Sequence, residues 1–115
     1  MLKLTCGIES PERANQAFTV AATAVASGST VSLWLTGESV WFAVPGRAEQ
    51  LQLEHATPMP DLLAVILEAG RVTVCTQCAA RRGLSESELL PGVRIAGSAA
   101  FVEQALEPSA QAIVY

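Results

Sequence analysis

Apolar residues along the chain fall into two patterns, short runs and longer stretches with helical spacing, and the two alternate from end to end. Leu2 to Cys6 is the first run and stops at Gly7. Ser10-Pro11-Glu12 then has the form of a helix start, with Ser as N-cap, Pro in the first helical position and an acid in the first turn. Ala14, Ala17, Phe18, Ala21, Ala22 and Val25 repeat at i, i+3, i+4 and i+7, one buried stripe that Gly28 ends. Further runs at Thr30–Leu35, Arg71–Cys75, Val93–Ala96 and Ala112–Tyr115 read as strands. Helical spacing recurs at Glu38–Val44, at Asp61–Ala69 closed by Gly70, in the segment after Cys75, and at Ser98–Leu106 stopped by Pro108. Ser85-x-x-Glu88 has the form of a capping box. Pro45 to Pro60 offers only Leu51 and Leu53 for burial, and reads as a long surface loop with room for one edge strand.

Strands separated by helices imply a mainly parallel sheet of about five strands in an α/β domain. In such a sheet ligands bind beyond the carboxyl ends of the strands, where the loops into the helices gather. This expectation brings Gly7, Ile8 and Glu9, then Thr36, Gly37 and Glu38, then Cys75 to Cys78, then Gly97 and Ser98 to one rim.

Composition narrows the function. The 115 residues suffice for one domain with its own core, half of them are hydrophobic and only 16% are charged. So apolar a balance predicts surface buried between copies, hence a homo-oligomer. A net charge of −4 excludes a clustered phosphate-binding surface, so nucleic acid is not an expected partner. The start of the chain lacks a signal-peptide pattern, and Ala14–Ala26 is too short and too polar to span a bilayer, so the expected location is cytoplasmic, away from any membrane. Three cysteines in a reducing compartment point to free, catalytic or metal-bound thiols rather than a disulfide framework.

The chemistry concentrates at Val72-Thr-Val-Cys75-Thr-Gln-Cys78-Ala-Ala-Arg81-Arg82-Gly83, where a strand gives way to a helix. Unpaired N–H groups and the dipole at a helix start favour a thiolate, and Arg81 or Arg82 reaching back would favour it further. The alternative is a pair of small buried hydrophobes at a strand end. Cys-x-x-Cys is also half of a zinc site, but only Cys6 and His55 remain as ligands, so no metal is expected. Cys6 reads as core and His55 as an exposed loop residue. Glu38 fits either a proton acceptor or a first-turn acid, and Trp41 either a pocket wall, a subunit contact or core.

Gly7-Ile-Glu9-Ser-Pro-Glu-Arg13, Leu35-Thr-Gly37-Glu38-Ser-Val-Trp41, Val74-Cys-Thr-Gln-Cys-Ala-Ala-Arg-Arg-Gly83 and Val93-Arg-Ile-Ala-Gly97 together resemble the DsrE/DsrF-like family over nearly the whole chain. The resemblance implies a three-layer α/β/α sandwich, assembly as a trimer or hexamer, and relay of sulfur as a cysteine persulfide without a cofactor, between a donor and an acceptor protein. Counting back from Arg81-Arg82-Gly83, it favours Cys75 as the carrier, with Cys78 at the place of the cysteine in other members. Apart from the resemblance, rim placement and charge make Glu9, Gly37, Glu38, Trp41, Arg81 and Arg82 the candidate surrounding residues. The competing readings are a non-catalytic interaction subunit and a dithiol redox protein.

Overall fold

The computed structural model describes residues 1–115 and contains a five-stranded, all-parallel sheet. Its strands are β1 (Leu2–Leu4), β2 (Ser32–Leu35), β3 (Arg71–Cys75), β4 (Arg94–Ala96) and β5 (Ile113–Val114), in the order β4-β3-β2-β1-β5. The helices are α1 (Pro11–Ala26), α2 (Met59–Ala69), α3 (Thr76–Arg81) and α4 (Ser98–Ala105), and shorter 3-10 turns cover Gly37–Ala43, Ala48–Gln50 and Glu86–Glu88.

Pleating divides the sheet residues between two faces. Leu2, Leu4, Leu33, Leu35, Val72 and Val74 point to one side and join a core with Ala14, Ala17, Phe18 and Ala21 of α1 and Leu62, Leu63 and Ile66 of α2. Alanine on the buried stripe of α1 brings that helix close to the sheet, and Phe18 fills the remaining space edge-on against Phe42, with ring centroids 5.5 Å apart. Lys3, Trp34 and Thr73 are in register across the opposite face, which α4 covers. Phe101 of α4 meets Trp34 edge-on at 5.3 Å and lies under the Lys3 ammonium. Gln104 anchors the same helix, its Oε1 accepting from both Trp34 Nε1 at 3.0 Å and Ser32 Oγ at 2.9 Å. The expected α/β sandwich is therefore present, with unequal outer layers.

Several boundaries differ from the expected ones for identifiable reasons. Strand β1 ends at Leu4 because Thr36 turns in to donate its N–H to the Leu4 carbonyl, so Cys6 lies two residues past the strand. Ser10 occupies the N-cap of α1, but its side chain makes no capping hydrogen bond. Helix α2 begins at Met59, two residues before Asp61, because Pro60 is tolerated in a first turn, where its N–H would be unpaired anyway. The segment from Pro45 to Pro60 contains no edge strand. A 3-10 turn buries Ala48 and Leu51, and the Thr57 carbonyl accepts from Asn15 Nδ2 of α1. The helical spacing at Glu38–Val44 is realised as the 3-10 turn Gly37–Ala43, and the Ser85–Glu88 box holds the turn Glu86–Glu88.

One buried polar group stands out. Thr73 is fully enclosed beneath the α4 face, and its Oγ1 has no hydrogen-bond partner. An unpaired buried hydroxyl costs about 1–3 kcal/mol, and valine has the same branched shape and suits a strand. Thr73→Val is expected to raise unfolding stability by about 1 kcal/mol or more, read as a higher urea midpoint at unchanged slope.

Candidate functional site

Three loops meet at the carboxyl rim of the sheet, each held by contacts the local sequence dictates. After β2, Thr36 and Ser39 form a capping box, and Ser39 Oγ donates to the Leu4 carbonyl at 2.8 Å, tying this loop to β1. Gly37 adopts φ +58°, and a Cβ there would stand 2.6 Å from the Thr5 carbonyl oxygen, so only glycine lets the two loops approach. After β1, a Cβ on Gly7 would press on Glu9 Oε2 at 2.9 Å and on Glu38 Cβ and O at 3.0 Å. The Gly7 N–H donates instead to Glu9 Oε1 at 2.8 Å.

The third loop carries the thiols. Cys75 is the N-cap of α3 and Cys78 sits three residues on, in its first turn. The helix ends after six residues: Gly83 takes φ +66°, its N–H bonds to the Ala80 carbonyl, and that of Leu84 bonds to Ala79, the paired closure of a Schellman motif. Arg82 therefore falls at the C-cap, four residues beyond Cys78. Its Nη1 donates to the Cys78 carbonyl at 3.1 Å while Nη2 pairs with Glu38 Oε1. Gly37 completes the link, its N–H donating to Cys78 Sγ at 3.2 Å.

The three thiols differ in environment. Cys75 is half-buried; burial alone would raise its pKa, but the backbone N–H and thiol of Cys78, the backbone N–H of Gln77 and the charge of Arg81 together hold it below an ordinary thiol. The Cys75 side chain makes no capping hydrogen bond to α3. Cys78 is only 8% exposed. Cys6 is buried, with Sγ 4.0 Å from the Ser10 carbonyl, and burial outweighs the Arg13 guanidinium to push its pKa up.

The rim thus brings Cys75, Cys78, Gly37, Glu38 and Arg82 together, with Glu9 beside Gly7 at its margin. Arg81 is exposed and acts on Cys75 through its charge, whereas Arg82, the other arginine expected over the pair, is engaged by Glu38 and a carbonyl. Trp41 stacks under the Arg47 guanidinium, 4.9 Å from ring centroid to Cζ. His55 is exposed at φ +57° in the loop before α2. No group of three or more His, Cys, Asp and Glu side chains is placed to hold a metal ion. Sequence reasoning missed the packing role of Gly7 and the loop-tying role of Ser39. A glycine directly after a strand run, and Thr36-x-x-Ser39 before an apolar stretch, were the available signals.

A parallel sheet with a cysteine pair where its third strand enters a helix defines a small α/β protein with a thiol-bearing rim. The chain belongs to the DsrE/DsrF-like family, whose model matches residues 3–115. Among solved structures it is similar in fold to the crystal structure of the YchN protein from E. coli, with a TM-score of 0.80 and 16% sequence identity over 99% of this chain and 97% of that one. No curated protein matches it in sequence. No helix is long and apolar enough to cross a membrane.

The thiol environments set an order of reactivity. Alkylation by iodoacetamide, followed by peptide mass mapping, is expected to label Cys75 before Cys6, with a Cys75 midpoint pH below that of a free thiol. Arg81→Gln removes a positive charge that favours the thiolate, so the midpoint is expected to move upward. An unchanged midpoint would remove Arg81 from the account.

Proposed function

We propose that this protein relays sulfur as a persulfide on Cys75, in keeping with the family to which it belongs. The observation that carries the reading is the half-buried Cys75 at the start of α3, kept more acidic than a free thiol, with a second, buried thiol in the same helical turn. The thiolate is the nucleophile in sulfur exchange, and the groups around the N-cap position favour that form.

In the transfer, Cys75 Sγ attacks the outer sulfur of a donor persulfide. A new S–S bond forms, the donor's own S–S bond breaks, and its electron pair leaves on the donor thiolate. Discharge repeats the exchange, with an acceptor thiolate attacking the outer sulfur and Cys75 leaving. Each step is a thiolate displacement at sulfur, so the pathway needs no cofactor and causes no net oxidation. Glu9, Glu38, Arg81 and Arg82 would form the charged border that a donor or acceptor protein meets. Incubation with a persulfide donor, desalting and intact-mass measurement should show the gain of one sulfur atom mapped to Cys75. Cys75→Ser should abolish the gain, and uptake undiminished in that variant would defeat the assignment.

The same reading includes assembly as a homo-oligomer, a trimer or hexamer of chains in a cytoplasmic setting. Support comes from α4 and the β5 edge, where Val102, Leu106 and Val114 are 49%, 76% and 62% exposed. Sedimentation analysis should give a mass several times that of one chain, and Leu106→Glu with Val114→Glu should shift the population toward monomer. A monomeric parent protein would overturn this part.

A further inference from the structure

Persulfide relay employs one thiol of the pair and leaves Cys78 without a part. Yet Cys78 is not packed as a passive hydrophobe. Its Sγ receives the Gly37 N–H at 3.2 Å, and its peptide carbonyl receives Arg82, so two separate loops fix where this sulfur stands. Both thiols open the same short helix, Cys75 at its N-cap and Cys78 in its first turn. Residues three apart on one helical turn have Cα atoms about 5 Å from one another, inside the range of roughly 4.4–6.8 Å that a disulfide spans. Cys6, the remaining thiol, is buried and directed at the Ser10 carbonyl, which leaves Cys78 as the thiol presented to Cys75.

We infer that Cys78 discharges a persulfide left on Cys75 as hydrogen sulfide, closing a Cys75–Cys78 disulfide. The inference rests on the relay reading and adds a second fate for the same intermediate. Cys78 Sγ, as thiolate, attacks Cys75 Sγ; the bond between Cys75 Sγ and the outer sulfur breaks, and its electron pair leaves on hydrosulfide, which carries away the proton Cys78 gave up. The outer sulfur is reduced to sulfide and the two thiols are oxidised to the disulfide, so atoms and electrons balance within the chain. The inner sulfur keeps the resting place of Cys75 Sγ and is therefore the atom Cys78 meets. Hydrosulfide is also a better leaving group than an alkyl thiolate, because its conjugate acid is the stronger acid. A dithiol reductant would then return the pair to the thiol state. The result is a timer: sulfur that no acceptor collects is released, and the emptied carrier is held oxidised until reduced.

The test loads the reduced wild-type chain with glutathione persulfide, removes small molecules by desalting, and follows free sulfide and intact mass together. Wild type is expected to lose the added sulfur as sulfide, about one per chain, at a rate independent of protein concentration, and to finish two hydrogens lighter than the reduced chain with Cys75 joined to Cys78. Cys78→Ser and Cys78→Ala are each expected to lengthen the persulfide lifetime by about tenfold or more, since an oriented intramolecular attack is lost. Two variants guard against a misfolded one, and circular dichroism identifies it. If wild type holds its persulfide as long as the variants do, or the variants release sulfide at the wild-type rate, the inference fails while relay stands. If wild type takes up no sulfur at all, the relay reading fails and this inference falls with it.

Discussion

The close approach at Gly37 is the constraint on which the rest of the rim depends. Its left-handed φ turns the chain out of β2 and brings the Thr5 carbonyl to where a side chain would otherwise stand. That turn aims one backbone N–H at Cys78 and delivers Glu38 to Arg82. A single glycine thus joins the loop after β1, the loop after β2 and the first turn of α3. The strands carry the loops, but this contact fixes their distance from one another.

Around that junction the charges are divided between two tasks. Glu38 and Arg82 are partly solvated, and an ion pair in such a place contributes at most about 1 kcal/mol, so its effect is to align loops more than to stabilise the fold. Arg81 remains unpaired at the surface and lends its field to Cys75. Two adjacent arginines that look equivalent in sequence therefore do different work, separated by the turn of about 100° between neighbours on a helix. The free amides of Gln77 and Cys78 add to the field at Cys75 because α3 begins there and nothing caps it.

Most of the architecture was legible from periodicity. Alternating runs marked every strand and every long helix, and Arg71–Cys75 was located to the residue, with Gly70 before it and the start of the Cys-x-x-Cys helix after it. Boundaries failed where tertiary contacts decide them: Thr36 caps β1 early, and Pro60 sits inside α2 instead of before it. The Pro45–Pro60 segment offered a weak signal because its buried residues, Ala48, Leu51 and Met59, are too few and too unevenly spaced to set a period. At the site, the cysteine pair and its helix were readable from spacing alone. The contact between Gly37 and Cys78 was not, since it spans 41 residues and one partner is a backbone N–H, which every residue but proline possesses. Trp41, adjacent in sequence to the rim, has its ring under the Arg47 guanidinium, a contact that its position in the sequence did not indicate.

The early closure of α3 at Gly83 has a consequence for how this chain tolerates change in length. Cys75 opens the helix and Arg82 shuts it, so every position between them belongs to a single rigid ruler, and one inserted residue would swing the guanidinium about 100° off the Cys78 carbonyl. The long segment ahead of α2 is measured only at its anchors, Ala48 and Leu51 in the core and Thr57 against Asn15. Additions at the exposed Glu54 and His55 between them only enlarge a surface excursion, whereas the seven-residue interval from Cys75 to Arg82 behaves as a gauge whose setting cannot drift.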